Sequence, residues 1–240
     1  MKKTRYWEID TMRGIAIIGM IFFHILVAMN ILNKASFNLD TPGWYIFSKF
    51  FASTFIFLVG TSLTLSYAKI KDKPIMQTYK KYLLRGLGLF GLGIGMTVIT
   101  YLGLEKGVIV FGILHLIGLS IILGMLMVRY NFLNLVLGSL MILAGAILNY
   151  MTFSFSYLVW LGFVPQNFYT LDYFPILPWF GVVLLGIAFG NQAYTNGVRQ
   201  FKLPDYSENK LITVLCFLGR HSLLIYVLHL PIIAGLVYLL

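Results

Sequence analysis

Apolar stretches close to the length that crosses a bilayer follow one another along this chain, and that recurrence leaves few folds open. They cover 9–31, 46–68, 82–102, 108–128, 132–150, 175–194 and 220–240. Each approaches the roughly 20 residues that a helix needs to span about 30 Å of hydrocarbon. Backbone polar groups find no water in lipid, so only helices and closed barrels cross it. The alternating segments of a barrel are not seen. The expected fold is all-α, a polytopic membrane helix bundle of about seven transmembrane helices. Leu211–Leu218 would make an eighth if it forms a short extra segment, and Tyr157–Val164 reads as a candidate re-entrant one. A mean hydropathy of +0.86 with only 11% charged residues excludes an ordinary soluble domain. No polar linker divides the chain, so residues 1–240 are read as one transmembrane domain. The first stretch is too long for a cleavable signal peptide and has no small-residue cleavage site.

The net charge of +10 invites a nucleic-acid reading. Its distribution does not fit one. Lys2, Lys3 and Arg5 precede the first stretch, and Lys69, Lys71, Lys73, Lys80, Lys81 and Arg85 surround the second connection. Arg129, Arg199, Lys202 and Lys210 mark the fourth and sixth. Positive residues gather on the cytoplasmic side of membrane proteins, so the N-terminus and the even-numbered connections are expected there. The basic loop Lys69–Lys81 is read first as an anchor on anionic lipid. The expected location is multi-pass in a membrane, the plasma membrane of a prokaryote, with no nucleic-acid partner.

Within the first apolar stretch lie Asp10, Arg13 and His24. Ionisable groups cost roughly 2.5–3.5 kcal/mol each at a helix centre in lipid, so they tend to face the bundle interior and mark a functional path. Positions 10, 13, 17, 20 and 24 step by three and four, which puts all three groups on one helical face. Arg13 and His24 are then about 16 Å apart along the axis. A cation near the surface and an imidazole deep inside suit a ligand with an anionic head and a long arm. By the same depth counting His115 and Asp172 fall near the outer level of His24, and the three are the candidate catalytic groups. His229, Ser222 and Tyr226 share a face of the last stretch and are read as structural. Cys216, the single cysteine, is read as a small apolar residue. No metal site is expected from four scattered histidines. In the glycine-rich run 86–95, Gly91 and Gly95 make a small-residue face suited to close helix packing rather than a phosphate loop.

The Asp-x-x-Arg-Gly opening at Asp10, with His24 eleven residues after Arg13, resembles the first helix of membrane-embedded acyltransferases. Three segments narrow the likeness: 111–118 around His115, 172–181 from Asp172 to Gly181, and 219–229 with Arg220 and His229. Together, in order and over nearly the whole chain, they are similar to the catalytic-domain family of heparan-alpha-glucosaminide N-acetyltransferase. The resemblance implies a multispanning enzyme that takes acetyl-CoA from the cytosol and acetylates a sugar amine or hydroxyl across the membrane. It places Arg13 and His24 in the active channel. Heparan-specific members carry an asparagine near the His24 position and a histidine in the following loop. Here 29–41 has no histidine, which favours His24 as the base and weighs against heparan itself as the substrate.

Acyl transfer asks for little. The acceptor's amine or hydroxyl must lose a proton as it attacks the thioester carbonyl, a task for an imidazole near neutral pH. A carboxylate such as Asp172 can orient an imidazole or hold the acceptor. The phosphates of coenzyme A need cations, and Arg5, Arg13, Lys80, Lys81, Arg85 and Arg220 are the candidates, with Asp10 in the same coenzyme-binding group; the alternative for Asp10 and Arg13 is a structural ion pair at the helix entrance. The expected activity is an acyl-CoA-dependent O- or N-acyltransferase with acetyl-CoA as cosubstrate. Its partners would be a glycan or small-molecule acceptor, membrane lipid and, compatible with the glycine faces, a second copy as a homodimer. The alternative is a small transporter or proton-coupled permease with an intramembrane His/Asp relay.

The charge pattern yields a direct test. In sealed vesicles of a Cys216-free background, single cysteines in 69–81 should label only from the cytoplasmic face and those in 165–172 only from the outer face. Labelling of both loops from one face would refute the assigned count of spans.

Overall fold

The computed structural model describes residues 5–103 and 105–239; Lys2 and Lys3 lie outside them. Eight α-helices are found among the described residues. They are α1 Trp7–Ile31, α2 Pro42–Ala68, α3 Ile75–Gly103, α4 Ile113–Met127, α5 Phe132–Leu148, α6 Ile176–Ala193, α7 Lys210–Arg220 and α8 Ser222–Leu239. Five of them, α1, α2, α3, α6 and α8, are long and apolar enough to cross a membrane. The shorter apolar helices α4 and α5, of 15 and 17 residues, complete the all-α membrane bundle of about seven spans.

The eighth helix is α7. Its 11 residues reach only about 16 Å, too short to cross. Leu211, Val214 and Phe217 are exposed along it while Cys216 and Gly219 are buried. The Asn209 side chain accepts from the amides of Leu211 and Ile212 and starts the helix. The chain turns at His221 before α8 begins. The expected final stretch, 220–240, is therefore α8 alone, and the segment 211–218 is a separate amphipathic helix. In 157–164 the described backbone holds only the 3₁₀ turn Val159–Leu161.

Two compact units are present. The first comprises residues 1–55 and 203–240, hence α1, the start of α2, α7 and α8. The second comprises residues 56–202, with the rest of α2 and α3 to α6.

Glycine sets helix spacing within each unit. In the first, a Cβ at Gly14 would overlap the Leu215 carbonyl, and one at Gly219 would overlap the Asp10 carbonyl. The two helices run antiparallel here, backbone against backbone. In the second unit Gly86 and Gly118 do the same for α3 and α4: a Cβ on either would stand 2.6–2.7 Å from the other's carbonyl oxygen. Gly138 and Gly181 repeat the arrangement between α5 and α6. Between α2 and α6, Gly60 faces the Val183 carbonyl and Gly186 the Phe57 carbonyl. The fully buried Thr61 adds a hydrogen bond from Oγ1 to the Gly186 carbonyl at 3.1 Å. Apolar side chains gain nothing by leaving lipid, so such close approach and interhelical hydrogen bonds carry the association. α6 is the core of its unit: 61% of its apolar window is buried, against 17–28% for α1, α2, α3 and α8.

The glycine run of α3 is a correction to the sequence reading. Gly88, Gly91 and Gly95 meet nothing within 4 Å, and the glycines that pack are Gly86, against α4, and Gly93, against the ring of His115. Periodicity identifies a small-residue face but not which side of the helix has a neighbour.

This contrast is measurable. Gly118→Ala should cost about 1–3 kcal/mol by forcing α3 and α4 apart, seen as a lower unfolding midpoint in detergent. Gly91→Ala should leave it within about 1 kcal/mol. Equal effects would remove the close approach as the determinant.

Candidate functional site

In the first unit the polar stripe of α1 begins with an ion pair. Arg13 Nη1 lies 3.2 Å from Asp10 Oδ1, one helical turn away, with the two side chains 21% and 14% exposed. The same nitrogen is 3.5 Å from the Gly219 carbonyl. The glycine contact that brings α7 to α1 thus also gives Arg13 a second acceptor. It sets Arg220 beside the pair, exposed, with Nε donating 3.0 Å to the Cys216 carbonyl. Arg5 is exposed just before α1. Arg5 and Arg13 thus stand at the start of α1, and Arg220 at the end of α7, where Gly219 packs against Asp10. Cys216 lies behind them, buried, with Sγ 3.3 Å from the Trp7 carbonyl and 3.3 Å from Thr11 Oγ1.

Further along the stripe, Ile17 is buried and Met20 half-buried. One turn beyond Met20, His24 places Nδ1 2.9 Å from the Met20 carbonyl. Its ring meets that of His229 on α8 edge to face, with centroids 4.9 Å apart. His229 is 4% exposed, and its Nδ1 lies 2.5 Å from the Tyr226 carbonyl. A carbonyl oxygen only accepts, so Nδ1 carries the proton in both rings and Nε2 holds a lone pair. Sequence reasoning left His229 among the structural residues. The missing signal was the tilt and register of α8 on α1, which no spacing within one helix reveals.

The second unit holds His115 and Asp172 at the N-terminus of α4. The Gly112 amide donates 3.2 Å to His115 Nδ1, so the ring's proton is on Nε2, 3.5 Å from Thr97 Oγ1. That hydroxyl donates onward to the Ile109 carbonyl at 2.6 Å. Both ring nitrogens are engaged. Phe111 stacks on the ring at 5.4 Å and Phe90 meets it edge-on at 5.2 Å. Asp172 Oδ2 accepts from the Ile113 amide at 3.0 Å, so the carboxylate caps α4 rather than the helix that follows it. A Cβ at position 112 would overlap that carboxylate, which explains the glycine. The backbones of 107–111 and 171–174 run side by side, Leu171 N–H to the Gly107 carbonyl at 3.2 Å and Phe174 N–H to the Phe111 carbonyl at 2.9 Å. Beside Asp172, burial pushes the Tyr173 hydroxyl up to about 12, and it donates to the Val159 carbonyl at 2.8 Å.

Lys80, Lys81 and Arg85 are exposed in the first turns of α3, with Lys81 Nζ 5.4 Å from the centre of the Tyr82 ring. Among the described residues no group of three or more His, Cys, Asp or Glu side chains is placed to hold a metal ion.

The geometry of the first unit is that of two touching imidazoles, His229 buried and His24 half-buried, about 16 Å up one helix face from Arg13. Against known proteins, the model of one family, described as heparan-alpha-glucosaminide N-acetyltransferase, catalytic, matches residues 5–231. No curated protein and no solved structure matches the chain. The match takes in both units, the ion pair, His24, His115 and His229 and the α4 cap, and the chain belongs to this family of membrane acetyltransferase domains.

Proposed function

We propose that residues 1–240 act as one transmembrane domain that moves an acetyl group from cytosolic acetyl-CoA to an amine or hydroxyl of a carbohydrate acceptor on the outer side. The observation that carries this reading is the α1 stripe, with Arg13 held by Asp10 at one end and the imidazole of His24 at the other. Cations at the start of α1 suit the phosphates of the coenzyme. Arg13 supplies the principal contact, Asp10 aims it, and Arg5 and Arg220 add charge. Lys80, Lys81 and Arg85 add positive potential on the cytoplasmic side. The pantetheine arm then runs along Ile17 and Met20 toward His24.

His24 is the general base in this reading, because its Nε2 holds a lone pair while Nδ1 is anchored on the Met20 carbonyl. The acceptor's nitrogen or oxygen gives its proton to Nε2 and bonds to the acetyl carbon. The carbon–sulfur bond breaks, and the thiolate takes the proton. His115 has both nitrogens engaged, which assigns it and Asp172 to bracing the N-terminus of α4 rather than to proton transfer.

Two substitutions separate binding from chemistry. Arg13→Ala should weaken acetyl-CoA binding by about 1.5–3 kcal/mol, the worth of a charge-assisted contact. His24→Ala should leave that affinity intact and lower kcat by about 10²–10⁴. Calorimetry of the purified protein with acetyl-CoA and single-turnover transfer to glucosamine read the two. Unchanged affinity in a folded Arg13→Ala would move the coenzyme elsewhere, and near-normal turnover in His24→Ala would return His115 to the role of base. Loss of solute flux in place of loss of acetyl transfer would establish a transporter.

A further inference from the structure

One buried group near the proposed base is left without a partner. His229 Nε2 has no hydrogen-bond partner and no access to solvent. A histidine serving only to join helices would bond with that nitrogen, or would be replaced by an apolar residue of similar size, because an unmade hydrogen bond in a buried site is costly. Its other nitrogen is committed to the Tyr226 carbonyl. The rings in contact with it are those of Tyr226 and His24, the latter half-buried and likewise with Nδ1 on a backbone carbonyl. The bare nitrogen of His229 therefore belongs to a ring packed edge to face on that of His24, whose own Nε2 also keeps a lone pair.

We propose that His229 is a positioning residue for proton transfer, and that its bare Nε2 steadies the proton which His24 takes from the acceptor. This inference rests on the acetyl-transfer reading above. At rest both imidazoles are neutral. As the acceptor attacks the thioester carbonyl, its nitrogen or oxygen bonds to the acetyl carbon and its proton passes to His24 Nε2. His24 then carries a charge in an apolar span. The lone pair of His229 lies beside that charge and stabilises it, while the new N–H points at the acceptor atom that gave the proton. When the carbon–sulfur bond breaks, the thiolate recovers the proton from the pair and both rings are neutral again. His229 thus serves the charged form of His24 much as a carboxylate or carbonyl behind a metal-binding histidine orients and supports that ring, but from the Nε2 side.

Asparagine and glutamine dissect the ring. His229→Asn keeps a donor where Nδ1 stands, toward the Tyr226 carbonyl, and deletes Nε2. His229→Gln offers an amide oxygen near the Nε2 position. The expected result for His229→Asn is a kcat lower by roughly 10- to 100-fold, with the KM for acetyl-CoA and the unfolding midpoint unchanged. His229→Gln should recover part of that loss. In the double variant with His24→Asn, turnover should be no lower than in His24→Asn alone, because groups that act as a unit are not additive. If His229→Asn does not fold, His229→Phe, which keeps an aromatic ring and removes both nitrogens, takes its place, and full wild-type turnover in it overturns the inference. So does a folded His229→Asn at wild-type turnover, or losses that multiply in the double variant. Where wild-type protein transfers acetyl groups, any of those results removes this inference alone; if wild-type protein transfers none, the parent reading falls and takes the inference with it.

Discussion

The approach of α7 to α1, glycine against carbonyl, is the contact on which the first unit depends. Any side chain at Gly14 or Gly219 would overlap a backbone carbonyl of the facing helix. With both glycines present, the Gly219 carbonyl comes within 3.5 Å of Arg13, and the chain can turn at His221 and send α8 back along α1. His229 then meets His24. A short amphipathic helix that adds no membrane crossing therefore places both the cations at one end of α1 and the imidazole pair further along it.

Two histidine environments in one chain differ in how their ring nitrogens are bonded. His115 accepts from one backbone amide and donates into a threonine hydroxyl, between two phenylalanine rings and beneath Gly93. Every polar atom of the ring is used, and the result is a rigid N-terminus for α4. His24 and His229 each use one nitrogen on their own helix. Low polarity makes the unused nitrogen of His229 expensive, and such cost is tolerated where a proton or substrate must visit. Membership of an acetyltransferase family supplies the reaction that would need it.

Much of the fold was legible in the sequence because length and hydropathy decide what can cross a bilayer. The expected 132–150 and 175–194 correspond to α5 and α6 within two residues. The expected 82–102 is the lipid-length part of α3, which starts earlier at Ile75 because its first turns stand outside the apolar run. Lateral contacts were not legible. The choice of Gly86 and Gly93 over Gly91 and Gly95, the capping of α4 by Asp172 from 59 positions away, and the meeting of His24 with His229 all depend on helix tilt and rotation. The ion pair of Asp10 and Arg13 was legible, since a three-residue step on one helix fixes it.

The central claim, that acetyl groups pass from a donor on one side of the membrane to an acceptor on the other, is tested most directly in sealed proteoliposomes of defined orientation. Radiolabelled acetyl-CoA is placed on the side of residues 69–81 and glucosamine on the opposite side. Labelled N-acetylglucosamine should accumulate on the glucosamine side, at a rate that collapses in His24→Ala. Product formed only when both reactants share one side, or labelled acetyl-CoA itself crossing while no product appears, would contradict the claim.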